Sequence, residues 1–319
     1  MLNKYYLVLV MLFSAIGLNA VEKLDKLIIA GPAASISHPM FKIIESDALK
    51  DIAGNVEFKL WRTPDQLKAM IINKSVDFIA VPTNVAAVFY NKKQPIQLLN
   101  VSIWGLMSVI SRDKSIKNIK DLKGKEMIVP FRNDVPDITL SALLKKEGIE
   151  PGKDMKIHYT PNIVDALQLL VAKTADTALM LEPIASMALI KDKSLQRSMD
   201  IQKEWGKIFN TEPKLPQAGI VAVGDMTKNQ KVIDRFLEEY TKAIKWYKSN
   251  PAEAGELAAK NLKMLNKKAV ASSIPFVRFE SVPIAKAKKE LQFYFDLLHK
   301  NNPKTVGGKL PDDSFYDIK

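Results

Sequence analysis

Apolar and polar positions change period along this chain in a regular alternation. An apolar run over 24–30 has strand length, and the loop Gly31-Pro32-Ala33-Ala34-Ser35-Ile36-Ser37 follows it, with a helix from His38. A second strand spans 56–61. Thr63, Pro64 and Gln66 then stand in capping-box order and open a helix that gives way to a strand over 76–81. One further strand covers 96–103. From Met107 the alternation resumes, with strands over 127–129, 155–159 and 177–181 and helices over 136–147 and 162–172. A last strand over 217–223 precedes a largely helical region. There Val232, Ile233, Phe236, Leu237, Tyr240, Ile244 and Tyr247 mark one buried helix face, and amphipathic helices are expected after Pro251 and over 283–301. Strands alternating with helices predict an α/β protein whose sheets are mostly parallel and flanked by helices.

One unit of this pattern occurs twice. Thr63-Pro64, an apolar helix, Asn73-Lys74-Ser75, then Val76-Asp77-Phe78-Ile79-Ala80-Val81-Pro82 is echoed by Thr160-Pro161-Asn162, an apolar helix, Lys173-Thr174-Ala175, then Asp176-Thr177-Ala178-Leu179-Met180-Leu181-Glu182-Pro183. Each copy reads as capped helix, turn, buried strand and a loop that opens another helix. Two such units predict two similar lobes with a cleft between them, and open α/β sheets take ligands beyond the carboxyl ends of their strands. Chain crossings are expected near 104–111 and 216–223. That assigns 21–106 and 224–319 to the first lobe and 107–223 to the second, with the tail around Gly307-Gly308-Lys309-Leu310-Pro311 lying across the surface.

The first twenty residues read differently. Lys4 precedes an apolar core over 7–16, and Gly17-Leu18-Asn19-Ala20 ends on a small residue, the order of a secretory leader cleaved after Ala20. The core falls well short of the roughly 20 apolar residues that span a bilayer. The chain has 0 cysteines, which excludes disulfides, thiolate sites and a lipid anchor on cysteine. The expected product is a soluble, periplasmic monomer. The net charge of +12 raises polyanions as partners, but lysines dominate the cations and interleave with Asp and Glu along helices, which argues against nucleic acid and membrane surfaces.

The strand-loop Ile29-Ala30-Gly31-Pro32, the repeat ending Val76-Asp77-Phe78-Ile79-Ala80, the segment Asn118-Ile119-Lys120-Asp121-Leu122-Lys123-Gly124-Lys125, the triplet Leu181-Glu182-Pro183 and the closing Gly308-Lys309-Leu310-Pro311-Asp312 together resemble the substrate-binding proteins of nitrate, sulfonate and taurine ABC importers. The resemblance covers almost the whole expected mature chain. It implies a two-lobed periplasmic binding protein of the second topological class, which captures a nitrate-, sulfonate- or taurine-like anion or a related small organic and delivers it to an ABC permease. A sensor or enzyme built on the same lobes is the alternative. A fungal branch of this superfamily makes a thiamine pyrimidine precursor with iron and a cysteine-rich motif; with no cysteine here, that chemistry does not carry over.

In such an architecture the candidate ligand contacts follow strands. They are Ser35, Ser37, His38, Trp61, Arg62, Thr83, Asn84 and Trp104 on the first lobe, and Phe131, Arg132, Asn133, Asp134, Glu182 and Gln217 on the second. Arg132 is the leading choice, because arginine is scarce and its planar fork suits an oxyanion; helix starts near Asn84 and Pro136 offer backbone donors to the same anion. Several of these residues suit structural roles equally: Ser37, Asn84 and Asp134 as helix caps, His38 as a helix-start residue, Trp61 and Trp104 as core, Glu182 as a loop anchor. The three histidines, His38, His158 and His299, form no metal-binding spacing, and the chain carries no nucleophile elbow and no dinucleotide or nucleotide phosphate loop. A binding protein without catalytic residues, metal or cofactor is the expectation.

Overall fold

A computed structural model describes residues 23–317; the expected leader over 1–20 lies outside the described residues. Strands β1 (Leu24–Gly31), β2 (Ala53–Leu60), β3 (Phe78–Pro82), β4 (Ile96–Leu98) and β5 (Asn100–Ile103) form a first sheet with β11 (Ala218–Val223) and β12 (Phe279–Pro283). Strands β6 (Met107–Ser111), β7 (Glu126–Pro130), β8 (Lys156–Thr160), β9 (Thr177–Leu181) and β10 (Gln196–Asp200) form the second. The orders are β12-β5-β11-β3-β1-β2, with β4 also on β11, and β10-β6-β9-β7-β8. The 96–103 strand is therefore two short strands, and β10 and β12 are additions that the apolar pattern does not announce.

Both sheets are mixed rather than mostly parallel. Only β2-β1-β3 and β8-β7-β9 are parallel trios. The reason lies in where the chain crosses. Ala218, the start of β11, pairs with Pro82, the end of β3; Met107, the start of β6, pairs with Leu181, the end of β9. A strand entering its sheet from the cleft must run against strands that finish there. The same pairing corrects the expected domain boundary: the 217–223 strand belongs to the first sheet, so the second lobe's own sheet is complete before the return crossing.

The repeated unit is visible in its caps. Helix α2 (Pro64–Ile72) starts on Thr63, whose Oγ1 accepts from Gln66 N at 3.2 Å, while Gln66 Oε1 accepts from Arg62 N at 2.7 Å, one residue earlier than a capping box requires. Helix α5 (Ile163–Val171) starts on Asn162, whose Oδ1 accepts from Val164 N and Asp165 N, both at 2.9 Å. Helices α1 (His38–Glu45), α3 (Thr83–Asn91), α8 (Gln230–Ser249) and α9 (Pro251–Asn261) clothe the first sheet; α4 (Val135–Lys146), α6 (Ile184–Lys191) and α7 (Ile201–Phe209) clothe the second.

The crossings are tied side by side. Leu215 N donates to Trp104 O, Gln217 N to Ile103 O and Arg278 N to Gly105 O, at 2.8–2.9 Å. Gln202 brackets the backbone of Met107, with Oε1 accepting from its N–H at 3.1 Å and Nε2 donating to its carbonyl at 3.2 Å. Gly105 is required beneath it, because a Cβ there would come within 2.2 Å of Gln202 Cγ.

The C-terminal segment departs from its expected place on the first lobe. Helix α10 (Lys267–Ser273) packs on α9 and reaches α6. Helix α11 (Lys288–Asn301) lies on the second lobe, where the Tyr294 ring is 5.8 Å from Trp205 of α7 and Lys145 Nζ donates to Asn301 Oδ1 at 3.0 Å. The tail then returns to α3. Asn84 Nδ2 donates to Thr305 O at 3.1 Å, and Asn91 Nδ2 donates to Val306 O at 2.6 Å and Lys309 O at 2.7 Å. Asn91→Ala should therefore cost about 1–3 kcal/mol and expose Lys309 to trypsin. Tail cleavage at the wild-type rate would show that these bonds do not hold it.

Candidate functional site

The loops after β1, β2 and β3 face the loops after β7, β8 and β9 across a cavity of about 520 Å³. Pro32, Ala33, Ala34 and Ile36 come from the first of these loops, and Phe131, Val135 and Pro136 stand opposite. Ile163 and Val164 open α5, Leu181 and Ile184 flank the end of β9, and Met264 adds a wall from between α9 and α10. The wall is predominantly apolar. Its polar members are Arg62, Thr63, Lys68, Asp134, Asn162, Asp165, Glu182 and Gln217.

Of the fourteen residues singled out from sequence, Trp61, Arg62, Phe131, Asp134, Glu182 and Gln217 line this cavity. The other eight stand elsewhere, each for a local reason. A single helical turn over Ser35–Ser37 directs that segment into the core: all three are buried, Ser37 Oγ donates to Pro32 O at 2.7 Å, and His38 Nδ1 lies 3.1 Å from the Tyr247 hydroxyl. Thr83 Oγ1 bonds Pro216 O at the return crossing, Asn84 holds the tail, and Trp104 is buried with Nε1 donating to Glu280 O at 3.0 Å.

Arg132, the leading choice for an oxyanion, is exposed and faces away. Phe131 and Asn133 both adopt left-handed backbone, φ 58° and 62°, so the loop corkscrews: Phe131 turns to the cavity and the Arg132 guanidinium sits 4.9 Å over the Tyr159 ring. Asn133 gives its N–H to Asp137 Oδ2 at 2.8 Å. Arg132 and Asn133 share a separate, polar depression with Asp137, Lys145 and Asn302.

The polar groups of the main cavity are largely spent on the protein itself. Trp61 Nε1 donates to Ala80 O at 3.1 Å, which leaves the ring to act as an apolar surface, and Gln217 Oε1 accepts from Leu106 N at 2.9 Å. Glu182 is buried and ion-paired, Oε1 to Arg197 Nη1 at 2.6 Å, with Oε2 accepting from Ser186 N at 3.0 Å. Burial pushes the Glu182 carboxyl up, and Arg197 opposes that shift. Asp134 caps α4, Oδ1 accepting from Val135 N at 2.7 Å; burial raises its carboxyl too, with Lys68 pulling weakly the other way.

The helix starts expected to offer donors to an anion are occupied in part, although α3 carries no side-chain cap. Thr63 and Asn162 cap α2 and α5, Thr83 N donates to Gln217 O at 3.0 Å, and Pro64 and Pro136 have no N–H to give. What remains is a half-open apolar cleft with carboxylates in its wall and two exposed cations, Arg62 and Lys68, among its lining residues. The apolar lining is what the sequence reading missed. Leu181, Ile184 and Ile163 look like core residues in the pattern, and only their place beyond strand ends marks them.

Residues 56–254 match the model of the family described as NMT1/THI5 like. No curated protein sequence matches the chain. Among solved structures, an ABC transporter protein from Parabacteroides distasonis superposes with a TM-score of 0.78 at 22% identity, covering 92% of this chain and 99% of that one. The periplasmic aliphatic sulphonate binding protein SsuA from Escherichia coli gives 0.73 at 15% identity, with 92% of each chain covered. The periplasmic nitrate-binding protein NrtA from Synechocystis PCC 6803 gives 0.62 at 13%, covering 78% and 69%. Two helix-flanked sheets facing each other over one cavity are thus the fold of periplasmic binding proteins, and with the family model spanning most of the chain, the protein belongs to the NMT1/THI5-like family.

Proposed function

We propose that the protein is the substrate-binding component of an ABC importer, holding a small organic solute between its lobes and presenting it to a membrane permease from the periplasm. The observation that carries this reading is a cavity walled by strand-end loops from both lobes, since a molecule seated there touches both and favours their closed arrangement. Family membership and likeness to an ABC transporter protein and an aliphatic sulphonate binding protein support it. Of the wall groups able to act as nucleophile or base, Thr63 and Asp134 are spent on helix caps and Glu182 on its ion pair with Arg197, which favours capture over turnover. Among the described residues no helix is long and apolar enough to cross a membrane. The permease would recognise the closed surface of a single protomer.

Native mass spectrometry of the protein from its own cells should show one small-molecule adduct that is recovered chemically unchanged. Resupplied at a hundred times its dissociation constant, that molecule should stabilise the fold by about 2.7 kcal/mol and reduce the radius of gyration in solution scattering. Conversion of the molecule during incubation would favour the enzyme alternative, and an unchanged radius at saturation would remove the closure.

A further inference from the structure

The cavity has more to say about its ligand than the fold does. We propose that it takes a hydrocarbon-rich organic molecule without negative charge, rather than a small oxyanion. The proposal rests on the binding-protein reading above and narrows its ligand.

Four observations converge. First, the surfaces contributed by Ala33, Val85, Phe131, Val164, Leu181 and Ile184 are apolar on both lobes, so water leaves favourably only for an apolar guest. Second, the less exposed charges of the wall are carboxylates. Asp134 and Asp165 are half-buried and the buried Glu182 is neutralised by Arg197, whereas the cations Arg62 and Lys68 are exposed. An anion entering here would lose its hydration shell and gain like-charged neighbours. Third, donors at the starts of α2, α4, α5 and α6 are committed to Thr63, Asp134, Asn162 and Glu182 or replaced by proline, which leaves the uncapped start of α3 as the one facing the cavity that could serve an oxyanion. Fourth, about 520 Å³ suits a drug-sized organic molecule, and an ion of a few atoms would leave most of the apolar wall uncovered. Burial also raises the Asp134 carboxyl, as an acidic wall facing low dielectric requires. A polar end, where the ligand has one, is uncharged or cationic and lies toward Asp134 and Asp165.

The test is a titration of the protein with N-phenyl-1-naphthylamine, a neutral apolar fluorophore, and separately with sodium nitrate and sodium ethanesulfonate. Val164→Glu places a carboxylate in the wall on the first turn of α5, where the helix tolerates it, and Val164→Leu is its apolar control. Saturable one-to-one binding of the fluorophore is expected. It should weaken at least about tenfold in Val164→Glu, equivalent to about 1.4 kcal/mol, weaken far less in Val164→Leu, and resist displacement by either anion. Melting temperatures confirm that both variants fold. Binding of nitrate or ethanesulfonate to wild type, or displacement of the fluorophore by either, overturns the ligand class and leaves the binding-protein reading standing. Failure of all three probes, together with no adduct in the native mass spectrum, overturns both.

Discussion

Glu182→Ala should lower the free energy of unfolding by about 3–5 kcal/mol, the usual consequence of removing one partner from a buried ion pair. The Glu182 side chain is 0% exposed and that of Arg197 14%, and the carboxylate sits 2.6 Å from Nη1. Arg197 would keep its hydrogen bond to Ser108 Oγ at 3.0 Å and its seat 3.8 Å over the Phe276 ring, neither of which neutralises it. The double variant Glu182→Leu with Arg197→Met should recover most of the loss, because it removes both charges and keeps volume. Urea unfolding of the three proteins decides the point; a loss below about 1 kcal/mol in Glu182→Ala would mean the pair is solvated. Glu182 is also part of the cavity wall, so the same variant should change ligand affinity, and the double variant separates loss of fold from loss of contact.

Acid should unfold the protein through His38. Its ring is 2% exposed, stacked against Phe41 and bonded to Tyr247, and burial holds its pKa at about 3, against 6.5 ordinarily. A histidine whose folded pKa is depressed gives its full contribution above the unfolded value and loses it as the pH falls through 6.5 towards 3, because the unfolded chain takes up the proton first. At pH 5 the loss amounts to about 2 kcal/mol. Unfolding measured at pH 7.5 and pH 5 should show this drop in wild type and a drop smaller by that amount in His38→Leu. Equal acid sensitivity in the two proteins would assign the effect to carboxylates instead.

The fold was legible because its signals are local and repeated. Thr63-Pro64 and Asn162 open helices in both halves, and the apolar runs 78–81 and 178–181 have the length of buried strands and follow turns in both. Direction within the sheets was not legible, since the antiparallel entry of β6 and β11 follows from where the chain crosses and leaves no mark on the pattern itself. The cavity was legible by position and obscure in detail. Strand ends pointed to Trp61, Phe131, Asp134, Glu182 and Gln217. Arginine scarcity pointed to Arg132, which left-handed backbone on either side of it, at Phe131 and Asn133, rotates out of the cleft. Asn133 tolerates that conformation and Phe131 adopts it at a cost, so the sequence carried only half of the cue. The apolar contacts share their residue types with the core, and only three dimensions separate the two.

The placement of α11 sets the order in which the molecule can be finished. Trp205 and Thr139 belong to the middle of the chain, yet the ring that covers them, Tyr294, arrives some ninety residues after Trp205. A chain emerging from its N-terminus therefore holds the second lobe with an open aromatic face until its last helix is made. A product truncated before Lys288 would carry every residue of the cavity wall and still lack a completed core, so loss of the C-terminus would show itself as aggregation before it shows as loss of binding.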